Sequence, residues 1–434
     1  MKVAIIGAGI AGLGCAHALA AERQHGLSIT LYEAALRPGG HTNTVDVSLD
    51  GTHHPVDTGF LVFNERTYPE LIRLFDSLDV PVAASDMSFA VSVAAPAGFG
   101  RRAFEWSGTN LAGIFAQRRN LVSPRFWHML ADLLRFNRQA TRIALGGEAT
   151  GEQSLGDFLD RHHYGQAFRR LYLLPMAAAI WSCPTATMLA YPLHTFVRFC
   201  HNHGLLQIEG RPRWLTVRGG ARQYVERIVR RLPDVRLGDP VQRVTRDRHT
   251  GRVLVDSARS RESFDHVVLA AHSDQSLRLL ADASETERAV LAGVRYQPNR
   301  AILHTDVRLM PAERRAWSSW NYSSNGGDEP AVSVTYWLNR LQPLPFATPV
   351  FVSLNPLREP DPATVLAEFD YAHPVFDAGA IAAQRQLPAV QGEDGVWFAG
   401  AWTGYGFHED GLTSGLAVAA RLRDLLRAPT ALAA

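Results

Sequence analysis

The first thirty-three residues constrain this chain more than any others. Lys2 to Ile6 read as a short buried strand, Gly7, Gly9 and Gly12 follow at GxGxxG spacing, and Ser28 to Tyr32 form a second strand ending at Glu33. The pattern predicts a βαβ dinucleotide cradle. Gly7 permits the tight turn, Gly9 lets the backbone approach a pyrophosphate, and Gly12 lets the following helix pack on the sheet. Ile10 and Ala11 stand at the mouth of that helix, whose free N–H groups and partial positive charge favour phosphates. Glu33, 21 residues beyond Gly12, is placed to accept hydrogen bonds from both ribose hydroxyls and disfavours a 2′-phosphate. The cradle argues against NADP and leaves FAD and NAD open.

The continuation separates those two. Arg37, Gly39, Gly40 and His41 follow the acid in the stretch EAALRPGGH, and Asp57, Gly59 and Phe60 come about twenty residues later in DTGF. At the far end, Val396 to Gly400 (VWFAG) read as a strand and turn, and Gly404 to Gly415 (GYGFHEDGLTSG) lead into an Ala-rich helix ending near Leu426. Between them lie Arg218 to Gly220 with Tyr224, Pro240 with Val241, and the apolar strand His266 to Ala271. This set resembles the flavin amine oxidase superfamily, which also contains phytoene-type desaturases and protoporphyrinogen oxidases.

The resemblance implies an α/β fold: a discontinuous Rossmann-type FAD-binding domain with an α+β substrate domain. It implies that Arg37 and the paired glycines run along the pyrophosphate and ribityl chain, with His41, Asp57, Gly59 and Phe60 in the same cofactor set. Val241 is implied to meet adenine through its backbone. Gly400, Asp410, Gly411, Leu412 and Thr413 belong to the turn and last helix, whose N-terminus is implied to face the flavin pyrimidine and to favour reduction there. No Cys stands near the final FAG turn, so non-covalent FAD is expected. Two departures matter: Ala401 replaces the family's usual acid, and Lys2 is the chain's single lysine. The lysine that many flavin amine oxidases hold near the flavin therefore has no counterpart, and Arg does not readily serve as an uncharged amine.

Within the superfamily, GYGFHEDG (Gly404 to Gly411), QRRNLVSP (Gln117 to Pro124) and AAAIWSCP (Ala177 to Pro184) resemble bacterial flavoproteins found beside cyclopropane-fatty-acid-synthase-like methyltransferases. That group includes the desaturase of furan fatty acid synthesis. The resemblance implies introduction of a second double bond into a methylated unsaturated acyl chain of a phospholipid. Glu409 and His408 are the candidate proton acceptors, with helix capping by Asp410 and an Arg or cofactor partner for Glu409 as structural alternatives. Two other readings stand beside it. One is a flavin amine oxidase or other FAD oxidoreductase of an apolar substrate; the other is a non-catalytic lipid carrier, as in the Rab GDP-dissociation inhibitors of the same fold.

Composition excludes other classes. A chain of 434 residues, 46% hydrophobic and 20% charged, has ample core, and a net charge of +2 argues against nucleic acid. Cys15, Cys183 and Cys200 have no metal-ligand spacing and read as structural thiols of a cytoplasmic protein. The FAD-like segments 1–84, 206–287 and 386–434 flank insertions 85–205 and 288–385, which are expected to form a substrate and membrane-facing domain. In the first insertion a helix is predicted from Ser123 to about Leu145, with Arg125, His128, Asp132, Arg135, Gln139 and Arg142 as a polar stripe. With Arg101, Arg102, Arg118 and Arg119 among Phe104, Trp106, Leu111, Ile114 and Phe115, it suits peripheral contact with an anionic membrane surface, at the inner face of the cytoplasmic membrane. Homodimerisation stays open. Met176, Ile180, Trp181 and Tyr191 are expected to line an apolar tunnel. The second insertion, with strands at Arg300 to Asp306 and Ala331 to Leu338 and a turn at Asn325 to Gly327, is expected to roof it.

Overall fold

A computed structural model describes residues 1–146, 153–181, 185–207, 210–326 and 331–427. Cys183, the end of the Ala177 to Pro184 run and Gly327 of the expected turn lie outside them. The chain has an α/β fold. Its dinucleotide half is a parallel sheet of five strands, β1 (Lys2–Ile6), β2 (Ser28–Glu33), β3 (Val235–Leu237), β4 (His266–Leu269) and β5 (Val396–Phe398), in spatial order β3-β2-β1-β4-β5. Val3 to Ile6, Ile29 to Tyr32 and Val267 to Leu269 are buried on both faces, as a sheet sandwiched between layers requires.

Five helices matter for the site: α1 (Ile10–Ala20), α2 (Pro69–Ser77), α3 (Pro124–Ala144), α4 (Arg222–Val229) and α5 (His408–Arg427). The crossing of α1 with α5 is close enough to demand glycine. A Cβ on Gly415 would lie 2.1 Å from the Ala11 carbonyl oxygen, and one on Gly14 would lie 2.4 Å from Leu412 Cδ1. Contact at that range holds the last helix against the first, although nearly the whole chain separates them.

The second half is built on a seven-stranded sheet in the order 365–375, 295–304, 351–354, 332–337, 320–324, 89–93, 104–107. Trp320–Ser324 pairs in parallel with Phe89–Val93, and this joint brings the two insertions into one sheet; its other pairings are antiparallel. Helix α3 starts where expected, with Ser123 capping the Phe126 N–H and Pro124 in the first turn. Its polar stripe is not the free surface that the sequence suggests. Asp132 pairs with Arg135 at 2.8 Å and accepts the Gly165 N–H, Arg135 lies 4.1 Å over the Tyr164 ring, and Gln139 accepts the Tyr164 hydroxyl at 2.7 Å. The middle of the stripe is an interface with the next helical segment, and the exposed cations lie at the ends. Among the described residues no helix is long and apolar enough to cross a membrane.

Candidate functional site

A cavity of about 640 Å³ opens where the two halves meet, and the cradle glycines form one wall. Gly7, at φ +107°, takes a conformation that suits glycine, and its N–H donates to the Tyr32 carbonyl at 2.8 Å to close the turn. A Cβ on Gly9 would meet nothing within 4 Å, so that backbone faces open space, whereas one on Gly12 would strike the Gly7 carbonyl oxygen at 1.9 Å. Gly12 therefore packs α1 on the turn and does not line the cavity, while Ile10 and Ala11 do. Glu33 lines it as well, with its carboxylate accepting from Ala8 N–H at 2.8 Å and Ala35 N–H at 2.9 Å. These bonds leave acceptor capacity for a ribose.

The second loop closes on the first. Gly39 donates its N–H to the Ala8 carbonyl at 2.7 Å, and a Cβ on Gly40 would come 3.3 Å from Gly9 Cα. Arg37 is not a cavity residue: it is exposed and donates back to the Gly40 and Thr42 carbonyls, pinning the loop. Asp57 is likewise turned away. Both of its oxygens accept the Ala221 N–H ahead of α4, at 2.9 and 3.0 Å, and Thr44 donates to it, while burial pushes its carboxyl up to about 6. Gly59, Phe60, Val241, Gly400 and Ala401 all line the cavity.

The run from His408 to Thr413 divides differently from expectation. Glu409 accepts the Glu70 and Leu71 N–H groups at 2.8 and 3.0 Å, so it caps the N-terminus of α2 and does not face the cavity. Its carboxylate is engaged by two backbone donors, which corrects its reading as a proton acceptor. His408 does line the cavity, stacked on Phe60 with ring centroids 3.9 Å apart. Its Nε2 is held by Thr42 Oγ1 at 3.0 Å and Tyr224 hydroxyl at 2.8 Å, and burial lowers its pKa to about 3. A ring tied at Nε2 and stacked on Phe60 is a wall, and its protonated form is strongly disfavoured. Asp410 accepts the Phe407 N–H at 2.9 Å in the loop before α5, Gly411 admits Ile10 against the helix, Leu412 packs in the α1–α5 core and Thr413 is exposed. None of these four side chains lines the cavity.

The opposite walls come from the insertions: Met87, Ile180, Phe199 and Leu205 from the first, and Trp320, Tyr336 and Leu354 from the second. Of the four predicted tunnel residues only Ile180 lines it; Met176, Trp181 and Tyr191 are core, with Trp181 packed at tilted angles among Tyr191, Phe196 and Phe199. Glu33 and Arg278 are the charged lining residues among those described, so the insertion walls carry neither acid nor base stronger than histidine.

Sequence reasoning missed a ring cluster at this wall. His41 lies 5.1 Å from Tyr371, 5.3 Å from His373 and 6.2 Å from His272, which stacks on Tyr296 at 4.3 Å. Asn299 Nδ2 donates to His373 Nδ1 at 2.9 Å, which places the His373 proton on Nε2. Burial, then the neighbouring imidazoles and Arg37, hold His41 well below its ordinary pKa; burial and His272 take His373 to about 4; burial lowers His272, with Asp274 opposing. His41 Nε2 has no hydrogen-bond partner. His272 could have been found, since it lies three residues past the end of β4 and ligands gather beyond the carboxyl ends of parallel strands. His373 and Tyr371 carry no local signal; only the strand pairing brings them in.

Open backbone at Gly9, the close approach of Gly40, the free capacity of Glu33 and the unpartnered His41 nitrogen fit an elongated dinucleotide. The family model for flavin containing amine oxidoreductases matches residues 10–343. Solved structures of similar fold include wild-type putrescine oxidase bound to putrescine (16% identity, TM-score 0.65, covering 98% of this chain and 99% of that one). A putative protoporphyrinogen oxidase from Exiguobacterium sp. 255-15 matches at 17% identity and TM-score 0.65, covering 98% of this chain and 99% of that one. A fatty acid isomerase from P. acnes that produces CLA matches at 14% identity and TM-score 0.67, covering 96% of this chain and 98% of that one. At these identities the likeness concerns the fold alone. No curated protein matches the sequence significantly.

Proposed function

Because the chain belongs to the flavin containing amine oxidoreductase family, which implies a flavin cofactor, we propose that it is an FAD-dependent desaturase of an apolar substrate. The substrate we propose is a methylated, mono-unsaturated acyl chain of a phospholipid, and the FAD is held without a covalent bond. The observation that carries this reading is the insertion wall of the cavity, apolar and aromatic with no carboxylate to receive an ammonium group. That a fatty acid isomerase is among the proteins of similar fold is in keeping with an acyl substrate.

The reaction removes a hydride from one carbon and a proton from its neighbour, leaving a second C=C bond. Bound flavin supplies the two-electron acceptor. Gly7, Gly9 and Gly40 leave room for its pyrophosphate, Glu33 orients a ribose, and His408 on Phe60 gives a rigid wall. Met87, Ile180, Phe199 and Leu354 exclude water and align the chain, since transfer requires the reacting atoms at roughly 3–3.5 Å. The proton goes to an imidazole nitrogen of His272, which lines the cavity and whose charged form Asp274 favours against the burial that lowers it.

The test is anaerobic mixing of the purified holoprotein with phospholipids carrying a methyl-branched, mono-unsaturated chain, alongside a panel of simple amines and NADH. The lipid should bleach the flavin band and return lighter by two hydrogens, with the amines and NADH inert. His272→Asn should slow this reduction by about 100-fold with FAD still bound. Bleaching by amines and not by lipid would replace the desaturase reading with amine oxidation, and colourless protein that cannot be reconstituted would favour the lipid carrier.

A further inference from the structure

The apolar side chains of the first insertion that the core does not absorb gather at one end of α3. Leu111 is 75% exposed and Val122 is 83% exposed, with Leu121 and Trp127 about half exposed. They belong to one projection. Asn110 caps the short helix Leu111–Ile114 through the Gly113 N–H at 2.8 Å, and Arg118–Val122 forms a 3-10 turn that runs into the Ser123 cap of α3. Trp127 donates its indole N–H to the Leu121 carbonyl at 2.9 Å, and its ring lies 5.7 Å from Phe115. The backbone here is satisfied by its own caps and turns while the side chains point out, so exposure is built in and does not come from fraying.

The charge around this projection is one-sided. Arg101, Arg102, Arg118 and Arg125 are exposed, and among the described residues none of the four has an ion-pair partner. Between residues 95 and 131 the sequence contains one acid, Glu105, and it is buried, accepting the Ala312 and Glu313 N–H groups. Those bonds dock the turn Arg314–Ala316 beside the helix Leu111–Ile114, which adds the exposed Arg314 and Arg315, with half-buried Glu313 as the nearby acid. Arg314 and Arg315 come from about 200 residues further along the chain, brought here by the fold alone.

We propose that this projection inserts Leu111, Leu121, Val122 and Trp127 into the headgroup region of an anionic bilayer, with the surrounding arginines on the lipid phosphates. Apolar tips on turns, ringed by unpaired cations, match a surface whose interior is apolar and whose face is negative. A partner protein would need a cleft lined with acids to satisfy the same set. The proposal supplies the lipid-facing side of the function above and does not depend on the chemistry being right.

Flotation of the full chain with vesicles of phosphatidylglycerol, compared with phosphatidylcholine, tests it without any turnover. Binding should require the anionic lipid and weaken with salt. Leu111→Glu with Val122→Glu should abolish it, and Arg118→Gln and Arg315→Gln should each weaken it by about 5-fold, the equivalent of about 1 kcal/mol per charge, with the thermal midpoint unchanged because these side chains are exposed. Absence of binding by the parent chain, or binding indifferent to these changes, overturns the proposal. So does a dimer in sedimentation equilibrium that Val122→Glu dissociates, because the apolar tips would then serve a second copy. Desaturation without vesicle binding would sink this inference alone, and vesicle binding without lipid oxidation would sink only the function.

Discussion

Asp410 shows how one side chain sets a pH dependence for the molecule. Burial raises its carboxyl to about 6, against the Phe407 N–H that favours the charged form, and Asp57 is raised to about 6 in the same way. A group raised on folding binds more protons in the native state than in the unfolded chain, so stability falls as pH rises through the interval from about 4 to 6. Its contribution is present below the unfolded pKa and gone above the folded one. Asp410→Asn keeps an oxygen for Phe407 N–H and removes the titration. We expect thermal unfolding of the variant to lose on the order of 2 kcal/mol of the pH slope between pH 4 and 7 and to be the more stable form at pH 7. An unchanged slope would mean that Asp410 is solvated as an ordinary carboxylate. The sequence marks the run His408 to Asp410 as chemistry-bearing, but not the division of labour within it. Glu409 is engaged by the N-terminus of a helix 339 residues upstream, and His408 is fixed by Thr42 and Tyr224. No local pattern encodes partners so far apart in the chain.

Elements were legible where a backbone constraint and a side-chain pattern coincide. The GxGxxG turn, β1, β2 and the capped start of α3 all have both, and they appear where the sequence puts them. The polar stripe of α3 had periodicity alone, and periodicity cannot distinguish water from the polar face of another helix; Tyr164 and Gly165 take its middle. The three cradle glycines give a sharper separation. Gly12→Ala places a methyl 1.9 Å from a backbone oxygen that cannot move aside, whereas Gly9→Ala points its methyl into open cavity. We expect Gly12→Ala to lower the unfolding midpoint of the apoprotein markedly, and Gly9→Ala to leave that midpoint in place while flavin occupancy falls at least 10-fold. Absorbance ratios and calorimetry on the two variants read these effects independently. Full flavin occupancy in well-folded Gly9→Ala would move the cofactor away from this turn.

At the scale of the whole molecule, the cavity is a product of assembly. Its cradle wall is written in the first sixty residues, but Tyr371 and His373 enter through a strand paired with Arg295–His304, and Met87 and Trp320 through the joint between the two insertions. Strand register across hundreds of residues decides those neighbours, which explains why three of four tunnel residues chosen by apolarity turned out to be core. The same geometry bears on how the cofactor is kept. Cys15 and Cys200 are fully buried thiols outside the cavity lining, with burial raising the Cys15 pKa to about 12, so neither offers a thiolate to a flavin. In the proposed non-covalent binding, retention comes from the two interlocked loops, Gly7 to Gly12 and Arg37 to His41, and from α5 pressed on α1. Acid precipitation should therefore release all of the flavin to the supernatant. Gentle removal of the cofactor should lower the unfolding midpoint of the protein, because a ligand at about 1,000 times its dissociation constant contributes about 4 kcal/mol to the folded state. Flavin retained in the acid pellet would instead demand a covalent partner among the cavity side chains, and the unpartnered His41 would be the first residue to examine.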